Sequence, residues 1–161
     1  MTTYKAVVIT LSDGAHQGKR LDTSGQRLAA LLRDSEFDVI QTEVLPDDKA
    51  MIASSLAGFA AAPDVDLIVT TGGTGLGPRD VTPEATLEVI DREIPGMAEA
   101  MRMKTLEKTP MAMTSRQVVG VSNRTLIVNF PGSPKAVEEC FDVVRPVLHH
   151  VIRLIHGHTE H

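Results

Sequence analysis

The sequence predicts an α/β domain of three layers, α/β/α, on a mostly parallel mixed sheet with a small β-hairpin. Three observations carry this expectation. Short β-branched runs at 5–10, 37–44 and 66–69 alternate with segments whose apolar residues recur at helical spacing. That alternation implies parallel strands joined by right-handed crossovers. Two further apolar runs, 117–121 and 125–130, flank Ser122-Asn123-Arg124 and read as a hairpin, which makes the sheet mixed.

The elements follow in order. Residues 5–10, Lys-Ala-Val-Val-Ile-Thr, are a buried strand, and the polar stretch 12–22, with Gly14 and Gly18, is a loop at its end. Ser24-Gly25 opens a helix with Leu28, Leu31 and Leu32 on one face, and a second strand covers 37–44. Pro46-Asp47-Asp48 begins the next helix, whose core face is Met51, Ile52, Leu56 and Phe59. The third strand, Asp66-Leu67-Ile68-Val69, runs into Thr70-Thr71-Gly72-Gly73-Thr74-Gly75-Leu76-Gly77-Pro78-Arg79-Asp80. Thr82 then reads as an N-cap with Pro83 at the first helical position. Helices are expected over 83–90 and 95–107, with a break at Lys108-Thr109-Pro110. Pro131-Gly132-Ser133-Pro134 caps a last helical region that reaches Ile155, kinked or divided at Arg145-Pro146. Residues 1–161 are read as one domain without repeats, with 157–161 as a disordered tail.

Composition excludes several classes. Hydrophobic residues make up 42% and charged residues 23%, as in an ordinary globular protein. Aromatics are only 3%, with no Trp, so stacking platforms for single-stranded nucleic acid are not expected. A net charge of −5 argues against a general nucleic-acid binder too. No apolar run reaches membrane-spanning length, and the start of the chain enters a strand without a signal-peptide layout, so a cytoplasmic protein is expected. The single cysteine, Cys140, reads as a small buried hydrophobe and forms no internal disulfide.

The glycine-rich turn at 72–77 is the strongest candidate site. Glycines let backbone N–H groups approach an anion, and a helix N-terminus follows. The turn lacks the Gly-Lys-Ser/Thr ending of a P-loop and the dinucleotide spacing, so it reads as an anion site of another kind. Arg79 can neutralise phosphate and Asp80 can hold a divalent metal. Four polar loops end apolar strands: Ser12-Asp13, Pro46-Asp47-Asp48, Gly72 to Asp80, and Pro131 to Pro134. In open α/β sheets such loops gather around the ligand. Two of them end in a capping hydroxyl followed by Pro, Thr82-Pro83 and Ser133-Pro134, so two helix N-termini are expected to face one anion. Asp47 and Asp48 read first as capping acids of a first helical turn, ahead of a catalytic role. Ser115-Arg116 reads as a surface pair or a site pair. The histidines 149, 150, 156, 158 and 161 crowd the C-terminus, where a solvated tail is expected rather than a metal site.

These residues also carry a resemblance. Thr71-Gly72-Gly73-Thr74-Gly75 followed by Arg79-Asp80-Val81-Thr82-Pro83-Glu84-Ala85-Thr86 resembles the signature of the molybdenum-cofactor biosynthesis domain family. Thr10-Leu11-Ser12-Asp13, Asp22-Thr23-Ser24-Gly25, Pro46-Asp47-Asp48, Ile94-Pro95-Gly96, Ser115-Arg116 and Asn129-Phe130-Pro131-Gly132-Ser133-Pro134 match in the family's order, over nearly the whole chain. Within the family the chain is similar to the stand-alone molybdopterin adenylyltransferase type. The resemblance implies transfer of AMP from Mg-ATP to the terminal phosphate of molybdopterin, with release of pyrophosphate. It implies a homotrimer and hand-over of the adenylated pterin to a molybdenum-insertion enzyme. Asp47 and Asp80 match the family's two catalytic acids, with Asp80 holding Mg²⁺. Gly72, Gly73, Thr74 and Gly75 match its nucleotide-phosphate turn. Ser12, Asp13, Ser115, Arg116 and Ser133 match positions around the substrate. Gly14 departs from the Thr or Arg of many relatives, which puts the loop from Gly14 to Leu21 outside the shared pattern. The competing expectation is a non-catalytic pterin-binding or scaffold trimer of the same fold; the presence of both acids and the full turn favours the enzyme. Insertion-enzyme and nucleotide-pyrophosphatase relatives sit in much longer chains than these 161 residues, which disfavours them.

Overall fold

Alternation along the central strands decides the layering. In the computed structural model, which describes residues 2–160, strand β1 (Lys5–Leu11) turns Ala6 and Val8 to one face of the sheet and Val7 and Ile9 to the other. The first face packs on α2 (Thr23–Asp34), α5 (Pro95–Leu106) and α6 (Pro134–Ile155), through Leu28, Leu32, Met101, Phe141 and Leu148 among others. The second face packs on α3 (Lys49–Ala61) and α4 (Thr82–Val89), through Ile52, Leu56 and Ala85. Each fully buried Leu, Ile or Phe contributes about 1.5–3 kcal/mol, several times an exposed helix-end charge at about 0.3–1 kcal/mol. Sheet burial therefore holds the three layers together, and the caps adjust their ends.

The remaining strands are β2 (Asp38–Leu45), β3 (Leu67–Thr71), β4 (Arg92–Glu93), β5 (Val119–Ser122) and β6 (Thr125–Phe130). They form a six-stranded sheet in the order β2-β1-β3-β6-β5-β4. The first four in that order run parallel; β5 is antiparallel to β6 and β4 to β5. The expected three-layer mixed α/β fold is thus the observed one. The hairpin is part of the main sheet, with Asn123 at φ 55 in its turn.

The structure corrects several details. The loop after β1 contains a short helix, α1 (Asp13–His16), capped by Ser12, whose hydroxyl accepts from the Ala15 N–H at 3.1 Å. The two-residue strand β4 was too short to show a period. The last helical region is one helix of 22 residues that runs through Pro146. Proline inside a helix costs about 3 kcal/mol. Here six buried side chains on both sides of it, Val137, Cys140, Phe141, Val144, Leu148 and Ile152, hold one apolar face against the sheet and outweigh that cost. Among the tail residues, His158 N–H donates to Arg153 O at 3.1 Å; His161, like Met1, lies outside the described residues. Among the described residues no helix is long and apolar enough to cross a membrane.

The strand order places the site. Chain flow leaves β1 toward β2 on one side and β3 lies on the other. The connections that leave the carboxyl ends of the paired strands β1 and β3 run to opposite faces, to α2 and to α4, and open α/β sheets bind ligands in the crevice between such connections.

Candidate functional site

A cleft of about 440 Å³ opens at this point, and all four expected loops reach it. Ser12 comes from the β1 end, Asp47 from the β2–α3 loop, Gly72, Gly73 and Asp80 from the β3–α4 loop, and Gly132, Ser133 and Pro134 from the start of α6. The loop between α1 and α2 adds Arg20, Leu21, Asp22, Thr23 and Ser24. Sequence reasoning passed over Arg20 and gave Asp22 no role. The readable signal for Asp22 was its place before Thr-Ser-Gly: it caps α2, accepting from Gly25 N–H at 2.9 Å, while Thr10 Oγ1 donates to the same carboxylate at 2.9 Å.

Two glycines make the floor. Gly72 has φ +100 and Gly73 φ +70, a region that favours glycine. A Cβ on Gly72 would stand 2.3 Å from Leu11 O, and one on Gly73 would stand 2.2 Å from Thr82 Oγ1. Thr82 is not the N-cap that the sequence suggested. It is the first residue of α4, Val81 precedes it without a side-chain cap, and its hydroxyl donates back to Gly72 O at 2.9 Å. Beneath it lies a buried ladder. Thr86 Oγ1 donates to Thr82 O at 2.8 Å, and the Asn129 amide donates to Thr86 Oγ1 at 3.1 Å and Thr70 Oγ1 at 3.0 Å. An asparagine inside the wholly buried strand β6 was the sequence signal for this support.

The acids divide their work. Asp48, not Asp47, caps α3, accepting from Met51 N–H at 2.9 Å. Asp47 is turned to Asp13: its Oδ2 accepts from Asp13 N–H, and Asp47 N–H donates to Asp13 Oδ1, both at 3.0 Å. Its other oxygen, Oδ1, is buried without a hydrogen-bond partner. Burial holds the Asp47 carboxyl above the usual 3.8, with Asp13 and Asp80 adding repulsion. Asp13 moves the other way, held below 3.8 first by the Arg79 guanidinium. Arg79 forks onto it at 3.1 and 2.9 Å, so in this structure its charge is spent on Asp13. Asp80 accepts from Gly77 N–H through Oδ2 at 2.8 Å. Among the described residues, Asp22, Asp47 and Asp80 line the cleft against one cation, Arg20. Such a wall repels a polyanion unless a divalent cation bridges them.

Ser133 caps α6, accepting from Ala136 N–H at 3.2 Å, with Pro134 at the first helical position as expected. It also borders a second hollow of about 290 Å³, where Thr74, Gly75, Ser115, Met111, Gln117 and Cys140 meet. Burial pushes the Cys140 thiol up to about 11, so it is protonated at neutral pH and packs as a small apolar group. Thr74, Gly75 and Ser115 thus lie on this second hollow rather than in the main cleft. The Arg116 side chain is bound to backbone carbonyls of the β3–α4 loop and to Glu84. His150 and His158 are exposed as expected, whereas His149 and His156 are docked: His149 Nε2 lies 2.9 Å from Ser35 O, and His156 Nε2 3.2 Å from Arg124 O. Their docking follows from the continuity of α6.

Residues 7–150 match the family model described as "Probable molybdopterin binding domain". The chain belongs to this family. Curated relatives include a molybdopterin adenylyltransferase of Helicobacter pylori strain J99, 38% identical over 159 residues, covering 98% of this chain and 90% of the relative. The molybdopterin adenylyltransferase of Escherichia coli K12 is 37% identical, covering 98% of this chain and 80% of the relative. Among solved structures, the molybdopterin biosynthesis enzyme MoaB of Thermus thermophilus superposes with a TM-score of 0.91 at 47% identity, covering 96% of this chain and 98% of that one. The family match spans β1 to α6, so the cleft and all its loops lie inside it.

Proposed function

We infer that the protein is a molybdopterin adenylyltransferase of molybdenum cofactor biosynthesis, which transfers AMP from ATP to molybdopterin and releases pyrophosphate. The observation that carries this reading is the acid pair Asp47 and Asp80 on one cleft whose floor is the Gly72–Gly73 turn. A pterin-binding module does not need two uncompensated carboxylates beside an anion turn; phosphate transfer through a divalent cation does.

Mg²⁺ fits the residues present. Asp47 Oδ1 is an orphaned buried acceptor and Asp80 supplies a second carboxylate. Among the described residues no group of three acidic, His or Cys side chains forms a metal cage. Mg²⁺ with a nucleotide needs only one or two carboxylates, because phosphates and water complete its shell. When bound, it neutralises phosphate charge. Asp80 and Asp47 would hold it; Gly72 and Gly73 in the cleft, with Thr74 and Gly75 where the turn passes to the second hollow, would offer backbone donors where the phosphates of nucleotide and pterin meet. Ser12 and Asp13 would border the substrate at the α1 end, and Ser115 and Ser133 would hold the pterin and its phosphate across the second hollow. The α6 N-terminus behind Ser133 favours that negative charge. The pterin phosphate oxygen then forms a bond to the α-phosphorus of ATP, and the bond to pyrophosphate breaks. The chain's contribution is positioning and charge stabilisation. A homotrimer, hand-over of the product to a molybdenum-insertion enzyme and a cytoplasmic setting complete the reading. Incubation with molybdopterin and Mg-ATP should yield pyrophosphate and an adenylated pterin by mass spectrometry; neither product from folded protein would refute it.

Asp47→Asn should separate stability from activity. A carboxyl held above 3.8 in the fold contributes stability that is present below 3.8 and lost as pH rises through its folded value. At neutral pH the charged group therefore strains the fold, and the amide removes that strain. The variant should melt at or above the wild-type temperature at pH 7, with the difference closing as pH falls below 3.8. Its turnover should drop on the order of a hundredfold. Thermal melts across pH and a pyrophosphate assay check both; full turnover in the variant would remove Asp47 from the mechanism.

A further inference from the structure

Arg116 holds the β3–α4 loop from behind. Its backbone N–H donates to Thr74 O at 2.9 Å. Its side chain donates to Gly75 O through Nε at 2.8 Å, to Asp80 O through a terminal nitrogen at 2.8 Å, and to Glu84 Oε1 through the other. One residue thus ties both ends of the loop and the first turn of α4. Between those ties the loop has few bonds of its own: Asp80 N–H donates to Gly77 O, and Gly77 N–H to the Asp80 carboxylate. Leu76, Gly77, Pro78 and Arg79 are exposed. A peptide unit is planar and trans, so a carbonyl pinned on one side directs its N–H to the other. The ties at Thr74 O and Gly75 O therefore direct the N–H groups of Gly75 and Leu76 away from Arg116, and the tie at Asp80 O sets the backbone that carries the Asp80 carboxylate. Guanidinium suits this task because its donors lie in one rigid plane, whereas an ammonium is a point charge on a flexible stem.

We propose that Arg116 is a positioning residue, a strut that holds residues 74–84 so that Asp80 and the loop N–H groups meet the nucleotide phosphates. It is thereby not a contact for the pterin. The inference rests on the nucleotide reading of the cleft, yet part of its test does not depend on that reading. Hydrogen exchange on the unliganded protein should show faster exchange at the hydrogen-bonded amides of Gly77, Asp80 and Thr82 in Arg116→Lys and Arg116→Ala than in wild type, with the β1, β3 and β6 amides unchanged. Unchanged exchange in the loop would overturn the strut. In steady state, Arg116→Lys should raise KM for Mg-ATP roughly tenfold and lower kcat, with KM for molybdopterin unchanged. A rise confined to KM for molybdopterin would make Arg116 a pterin contact and overturn the proposal. Lower melting temperature with wild-type kcat and KM per folded molecule would reduce it to a structural residue and overturn the proposal as well. In an Asp80→Ala background, Arg116→Ala should cost little further rate, because the two changes disable one device; additive losses would count against it. If the wild-type protein makes no adenylated pterin, the functional reading fails, and the exchange experiment still decides whether Arg116 orders the loop.

Discussion

Asp80→Ala should lower adenylyl transfer on the order of a thousandfold, about 4 kcal/mol of transition-state stabilisation, and leave the fold nearly untouched. The asymmetry follows from what the side chain does. Its one side-chain hydrogen bond among the described residues, from Gly77 N–H, is worth about 0.5–1.5 kcal/mol at an exposed loop. The α4 start does not depend on it, because Thr82 bonds back to Gly72 O and Pro83 presets the first turn. In the cleft the same carboxylate stands with Asp47 beside the glycine floor, where a bridging cation would offset the acids and admit a polyanion. Rapid-quench measurement of pyrophosphate with saturating Mg-ATP, beside a thermal melt, gives both quantities. Turnover within tenfold of wild type would exclude Asp80 as a metal-holding residue. A large fall in melting temperature would instead make it a loop anchor.

Gly72→Ala should damage stability and activity together. A side chain at φ +100 costs about 1–3 kcal/mol in backbone strain. The new Cβ would also stand 2.3 Å from Leu11 O, a backbone atom of the central strand that cannot swing aside. Relief requires the β1 and β3 ends to part, which is where the cleft lies. A total cost of about 3 kcal/mol or more lowers the melting temperature by roughly 6–12 °C in a domain of this size. Mg-ATP affinity should fall in parallel, measured by calorimetry below the melting range. Gly58→Ala serves as the control. Its Cβ would meet nothing within 4 Å in the middle of α3, and it should stabilise the protein by about 0.5–1 kcal/mol. Equal effects from the two substitutions would show that the turn at Gly72 carries no special geometry.

The sequence by itself determined the layers and the loops of the site. Strand runs of buried β-branched residues and helical runs of Leu, Ile and Val have periods that survive any context, because burial enforces them. The glycine turn after β3, the acids at 47 and 80, and Ser133-Pro134 were legible because each occupies the end of such a run, and the parallel alternation sends those ends to one edge. Tertiary structure alone decided which polar group serves which partner. Asp47 and Asp48 are the same residue type one position apart; only the packing of the β2–α3 loop against α1 gives capping to Asp48 and the link to Asp13 to Asp47. Thr82 carries the signature of a cap, but the close approach of Gly72 O turned its hydroxyl back to the glycine floor. Arg79 looked like a free phosphate ligand until the fold brought Asp13 to it across 66 positions of sequence. Pro146 read as a kink or a division of the last helix, and the shared burial on both sides of it keeps the helix undivided. Local pattern records what burial demands of a segment. Hydrogen-bond partners distant in sequence exist only once the layers have closed, so their choice belongs to the folded molecule.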